Sequence, residues 1–176
     1  MKFASLTPGD LILDICCGTG KLTVLIARQE FAEQVVGVDI SESALQGARA
    51  RVQHIPVALL RASADNLPFD SSRFDRCFIS FGLHHMRGQD RQKTLKEIRR
   101  SLVSGGTLFV IDYNLPERGL RRLAATAFAK LDKSEEAYKM LMHDSLTREI
   151  KNAGFEIERR ELTCQGIIQL LEAVNK

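Results

Sequence analysis

No apolar run in this sequence approaches the roughly 20 residues that span a bilayer, so a membrane-crossing helix is not expected. The start, Met1-Lys2-Phe3-Ala4-Ser5, lacks the apolar core of a secretory signal. The expected compartment is therefore the cytoplasm. Cysteine is scarce, four in all, with Cys16 and Cys17 adjacent and Cys77 and Cys164 standing alone. No CxxC or Cys/His ligand spacing occurs, which argues against a metal site, and in a reducing compartment the four read as free thiols. Charge of one sign is also lacking. The 25 Lys and Arg nearly balance the 22 Asp and Glu, leaving +3, too little to argue for a nucleic-acid partner. The densest basic stretch, Arg91 to Arg100, also holds Asp90 and Glu97. Leu95, Ile98 and Leu102 recur there at helical spacing, so its charges are expected on the solvated face of an amphipathic helix.

What the chain does have is an alternation of apolar runs of strand length with segments of helical period. Leu11 to Cys16, Val35 to Asp39, Val57 to Ala62, Phe74 to Ser80 and Thr107 to Asp112 read as strands, several of them almost fully apolar, as buried parallel strands are. Helices are expected from Lys21 to Gln29, from Glu42 behind the N-cap Ser41, and from Asp90 to Val103, the last stopping at Gly105-Gly106. A long helical stretch from about Glu117 to Ala153 ends at Gly154. Phe155 to Leu162 closes as a strand, and Ile167 to about Val174 fits either period. The expected fold is a single α/β domain over residues 1–176: a doubly wound, mostly parallel, seven-stranded Rossmann-like sheet with helices on both faces.

Two features point to a ligand. Asp14-Ile15-Cys16-Cys17-Gly18-Thr19-Gly20 lies where the first strand turns into the first helix. Glycine there permits a tight turn and a close approach of ligand to backbone, and open α/β sheets bind ligands beyond the carboxyl ends of their strands. Asp39 ends the second strand roughly 20 residues later, where such folds hold a ribose through its two hydroxyls. A carboxylate accepts both bonds. A dinucleotide fingerprint would continue G-x-G-x-x-G, and here its third position is Thr23, which counts against NAD.

These residues resemble class I S-adenosylmethionine (SAM)-dependent methyltransferases. Leu13 to Gly20 is similar to their first motif and Val38-Asp39-Ile40-Ser41 to the second. Ala64-Asp65-Asn66-Leu67-Pro68-Phe69 is similar to the third, Ser80-Phe81-Gly82-Leu83-His84-His85-Met86 to the fourth, and Leu102 to Gly106 to the loop before strand five. The nearest branch is that of ubiquinone and menaquinone C-methyltransferases, and the likeness runs from about Asp10 to Glu161. It implies SAM as cofactor and a small-molecule acceptor methylated by in-line displacement; the apolar stretch from Glu117, with Met140 and Met142, would suit an apolar or aromatic acceptor. It also implies a set of cofactor contacts: Asp14 toward the methionine amino group, Cys16, Gly18 and Gly20 beneath the methionine and sugar, Asp39 and Ile40 at the ribose. Asp65 and the Asn66 backbone would meet the adenine, and the Ser80 carbonyl the ammonium.

The likeness has two departures. Cys16 stands where the family has glycine. Only about ten residues precede strand one, where the family carries capping helices, so an open site or a shortened chain is expected. His84 and His85 follow the fourth strand on the acceptor side and are the candidate general bases, since histidine titrates near neutrality. The stretch at about 117–143 is the expected helical lid. Two other functions fit parts of the pattern: a non-catalytic SAM-binding partner subunit, and an NAD-dependent oxidoreductase. The oligomeric state and the acceptor are not legible.

Overall fold

The computed structural model describes residues 4, 6–29, 32–115, 140 and 145–176. Seven strands form one sheet: β1 (Asp10–Ile15), β2 (Ala32–Asp39), β3 (Val57–Arg61), β4 (Phe74–Ser80), β5 (Leu102–Tyr113), β6 (Phe155–Thr163) and β7 (Ile168–Asn175). Their spatial order is β3-β2-β1-β4-β5-β7-β6. The first five run parallel, and β7 is antiparallel to both β5 and β6. The described helices are α1 (Lys21–Ala27), α2 (Glu42–Arg51), α3 (Gly88–Ser101) and α4 (Ser145–Asn152). The expected doubly wound sheet is thus present. None of the described helices is long and apolar enough to cross a membrane.

Successive side chains of a strand point to opposite faces. Leu13 and Ile15 of β1 join Val36 and Val38, Leu95 and Ile98 of α3, and Leu146 and Ile150 of α4 in one buried cluster. Ile12 faces the other way and packs with Ile26 of α1, Val35, Phe78 and Phe109. Phe78 and Phe109 pair across β4 and β5 and stack at 4.8 Å between ring centroids. Both faces of the central strands are therefore sealed, which is why these runs are apolar without alternation.

Two expectations are corrected and one open reading is decided. Helix α3 ends at Ser101, and Leu102 to Gly106 belongs to β5. Leu102 pairs with Phe74, the register shifts before Thr107, and Gly105 at φ +77° sits in that irregular entry, so the glycines shape a strand start and not a helix stop. The closing segment is a strand, Ile168–Asn175. Arg91 is not solvated: it is 4% exposed and grips both carboxylate oxygens of Glu149 at 2.7 and 2.9 Å while donating to the Met86 carbonyl. This fork ties α3 to α4, a geometry that favours arginine. Most of the expected lid at 117–143 lies outside the described residues. Its described member, Met140, is buried in the core with Leu146 and Ile150.

Chain order reverses beside β1: the path leads outward to β2 on one side and β4 on the other. Such a switch point opens a crevice at the carboxyl ends of the strands, and the candidate residues gather there.

Candidate cofactor cleft

The β1–α1 turn is built on three left-handed residues: Cys16 at φ +55°, Gly18 at +55° and Gly20 at +75°. The Cys17 N–H donates to the Val38 carbonyl and the Gly20 N–H to the Cys17 carbonyl, pinning the turn to β2. A side chain at Gly20 would meet Ala48 of α2 at 3.1 Å, so glycine is needed there on both grounds. Gly18 meets only the Cys16 carbonyl, at 4.0 Å, leaving open space above its backbone.

Asp39 is held by two backbone donors. The Gly18 N–H reaches Oδ2 and the Ser41 N–H reaches Oδ1, each at 2.8 Å. Two acceptor positions remain on a carboxylate so held, enough for a pair of vicinal hydroxyls. Ser41 caps α2 as its sequence suggests, accepting from the Ala44 N–H at 3.3 Å. Ile40 beside it is 64% exposed, an apolar flat left for a ring to cover. Asp65 accepts from the Ser63 hydroxyl in the loop after β3.

A cavity of about 360 Å³ joins these parts; Cys16, Asp39, Ile40 and Asp65 line it with Ser63, Met86, Asp90 and Thr94. That volume is within the usual range for small-molecule sites. Asp14, Gly18, Gly20, Asn66 and Ser80 are not part of its lining. Met86, Asp90 and Thr94 were missed by sequence reasoning. They sit at the end of the motif-four segment and on the first turns of α3, whose position against the loop after β3 no local pattern reveals. Among the described residues, three carboxylates face the cavity and no Lys or Arg lines it. Such a wall suits a cationic nucleoside and repels a pyrophosphate.

Asp14 lies beneath the turn, not in the cavity wall. Its carboxylate accepts from the Thr23 hydroxyl at 2.5 Å, and burial, with help from Asp39, pushes its pKa up to about 7. Thr23, which breaks the dinucleotide pattern, is thus a partner of Asp14. Because the folded pKa lies above the ordinary 3.8, the folded state holds the extra proton between those values. The associated stability is complete below pH 3.8 and is lost as pH rises through about 7. In Asp14→Asn this slope is expected to vanish. Urea titrations between pH 4 and 8 should show wild type losing ground to the variant by up to ~1.4 kcal/mol per pH unit. A difference that does not change with pH would contradict the assignment.

At the carboxyl ends of β4 and β5 a second group assembles. A short 3₁₀ turn, Leu83–His85, follows β4. It buries His84 (2% exposed) and leaves His85 exposed. The His84 ring Nδ1 lies 2.8 Å from Asp112 Oδ1. Phe81, 37% exposed and at φ +52°, and Tyr113 stand around the His84 ring. In the sequence alone Asp112 is only the last residue of a strand. All four cysteines are free thiols; Cys77 is buried in β4 and Cys164 is exposed.

The fold is an α/β domain with an acidic cleft at its switch point, a lining that suits a positively charged nucleoside. Comparison with known proteins carries the assignment further. Residues 12–106 match the family described as a methyltransferase domain. The chain is 31% identical to an uncharacterised methyltransferase of Synechocystis sp. over 96% of its own length and 77% of the relative's. It is 30% identical to a demethylmenaquinone methyltransferase of Staphylococcus haemolyticus over 93% and 76%. A 2-phytyl-1,4-naphtoquinone methyltransferase of Trichormus variabilis is 33% identical over 66% of this chain, which spans about half (52%) of that relative. A crystal structure of a SAM-dependent methyltransferase from Methanosarcina mazei superposes with a TM-score of 0.78 at 21% identity, over 96% of this chain and 93% of that one. The chain belongs to the class I SAM-dependent methyltransferase family. Its cofactor is SAM, which the acidic cavity and the doubly tethered Asp39 fit, and the oxidoreductase and non-catalytic readings find no support.

Proposed function

We propose that this enzyme methylates a small aromatic acceptor of the naphthoquinol type. The observation that carries the reading is the ring cluster of Phe81, His84, His85 and Tyr113 at the carboxyl ends of β4 and β5. Planar rings stack well against such a wall. The names of the Staphylococcus and Trichormus relatives, both quinone methyltransferases, support the same class.

SAM, when bound, supplies an electrophilic methyl group. The chain's own residues do the rest. Asp39 holds the ribose hydroxyls, with Ile40 against the nucleoside; Asp65 and the Asn66 backbone take the adenine edge. Gly18 and Gly20 let the backbone approach, Cys16 closes the wall beside them, and the Ser80 carbonyl would face the methionine end, while Asp14 supports the turn from beneath through Thr23. Fixing two reactants in line is worth up to roughly 7–11 kcal/mol in well-oriented systems.

The test is direct. Purified enzyme is incubated with methyl-labelled SAM and 2-prenyl-1,4-naphthohydroquinone, kept reduced under argon with dithiothreitol. Label is expected on the ring carbon of the product by mass spectrometry. SAM binding without label in this acceptor would contradict the proposal while leaving the family assignment intact.

A further inference from the structure

The His84–Asp112 pair is more elaborate than packing requires. Asp112 is wholly buried, yet it takes three donors. Its Oδ1 accepts the Tyr113 N–H and lies against His84 Nδ1, both at 2.8 Å, and its Oδ2 accepts the His84 backbone N–H at 3.3 Å. One carboxylate therefore clamps the histidine at both backbone and ring. A carboxylate cannot donate, so the ring carries its proton on Nδ1 and its basic lone pair on Nε2. Nε2 has no hydrogen-bond partner among the described residues. A buried imidazole with one nitrogen fixed by a carboxylate and the other unpaired is the arrangement of an oriented base.

Its place fits that role. Gly82, just before the 3₁₀ turn, lies against Cys16, where an added Cβ would come within 2.8 Å of the Cys16 Cβ. Cys16 in turn lines the SAM cavity. The dyad and the cofactor cleft thus share one wall. The charge of Asp112 is felt there, for it contributes, after burial, Asp39 and Asp14, to raising the Cys16 thiol to about 12. On its other sides the imidazole meets His85 at 3.9 Å and Tyr113 at 4.8 Å between centroids.

We propose that His84 is the general base of the reaction and Asp112 its positioning residue, and that the acceptor is one that must lose a proton to be methylated. The inference rests on the naphthoquinol reading for its probe. His84 Nε2 takes the proton of the acceptor hydroxyl, and the electron pair passes into the ring. The ring carbon forms the new bond to the methyl group, and the carbon–sulfur pair stays on sulfur. The hydrogen on that ring carbon then leaves to solvent as His84 returns its proton to the oxygen. The net release is one proton. An acceptor whose hydroxyls are blocked as methyl ethers offers His84 nothing to remove.

The experiment compares wild type, His84→Gln, His84→Asn and Asp112→Asn on 2-prenyl-1,4-naphthohydroquinone and its dimethyl ether, with SAM affinity measured by calorimetry. General-base loss is worth roughly 10²–10⁴-fold. Both His84 variants are expected to lose at least about 100-fold in kcat while SAM affinity stays within about threefold. Wild-type kcat should rise with pH to a plateau, as a reaction that needs an unprotonated base requires. The groups facing it, Asp112 and Tyr113 of β5, His85 beside it and Cys16 across the wall, are common to all variants except at the changed position. Asp112→Asn removes the charge that favours the imidazolium, so its limb should move to lower pH and its kcat should fall. The dimethyl ether should be inert. A His84 variant that folds, binds SAM and keeps more than a third of kcat with an unchanged pH profile would overturn the proposal. If wild type leaves the quinol unmethylated, that acceptor reading fails by itself. The dyad is then judged by the nitrogen spectrum of His84, where an unprotonated Nε2 with a proton on Nδ1 at neutral pH supports it. The opposite tautomer overturns it.

Discussion

Asp39→Ala is expected to weaken SAM binding on the order of 10²–10⁴-fold, the largest single effect at the cofactor cleft. Hydrogen bonds to a charged acceptor are worth about 1.5–3 kcal/mol each, and the ribose offers two hydroxyls. The variant also strands the Gly18 and Ser41 N–H groups, which both end on this carboxylate. The glycine turn loses one of its tethers to β2, keeping the Cys17 N–H to Val38 carbonyl bond, and the entry to α2 loses one of its bonds. A stability loss of about 1–3 kcal/mol is therefore expected beside the affinity loss. Asp39→Asn retains one acceptor oxygen and should fall between the two. Calorimetry with S-adenosylhomocysteine and urea denaturation separate the two effects. Affinity within about threefold of wild type in a folded Asp39→Ala protein would remove Asp39 from the site.

The second large effect concerns the departure at Cys16. Its φ of +55° lies in the left-handed region, which costs a non-glycine residue about 1–2 kcal/mol. Gly82 has φ −103° and no conformational need to be glycine, but an added Cβ would fall 2.8 Å from Cys16 Cβ and 2.9 Å from its sulfur. The thiol of Cys16 occupies the space that a side chain at position 82 would use. Gly82→Ala alone should destabilise by about 2–3 kcal/mol through overpacking. Cys16→Gly alone should be neutral or stabilising by about 1 kcal/mol, relief of strain offsetting lost contact. In the double variant the cost of alanine at 82 should drop below about 1 kcal/mol, leaving only the 3.2 Å approach to Ile79. The coupling in this double-mutant cycle should thus reach about 2 kcal/mol. Additive effects would mean that Cys16 and Gly82 do not share that volume.

Much of this molecule is legible locally. The apolar strand runs, the left-handed glycines of the β1–α1 turn, the Ser41 cap and Asp39 at a strand end each depend on a few neighbouring residues. Sequence spacing therefore located them. What it missed or left open depends on partners far along the chain. Arg91 reads as a surface charge until Glu149, 58 residues later, is brought against it. Gly105 and Gly106 read as a helix stop until Phe74 pairs with Leu102 and turns that segment into a strand. The closing segment is a strand because β7 pairs antiparallel with β5 on one side and β6 on the other. Asp112 gains its meaning only when its carboxylate meets His84 from the neighbouring strand end, 28 residues away. Asp90 and Thr94 reach the cavity because α3 starts beside the loop after β3. In each case the local pattern is correct and the tertiary partner changes its role.

The central claim is that the acidic cleft at the β1–β4 switch point binds a cationic nucleoside through Asp39. Calorimetric titration of the purified chain with SAM, with S-adenosylhomocysteine and with NAD tests it most directly. Saturable binding of both sulfur nucleosides, with none of NAD at the same concentrations, is the predicted result. Binding of NAD in preference to SAM, or of neither sulfur nucleoside by a folded chain, would contradict it.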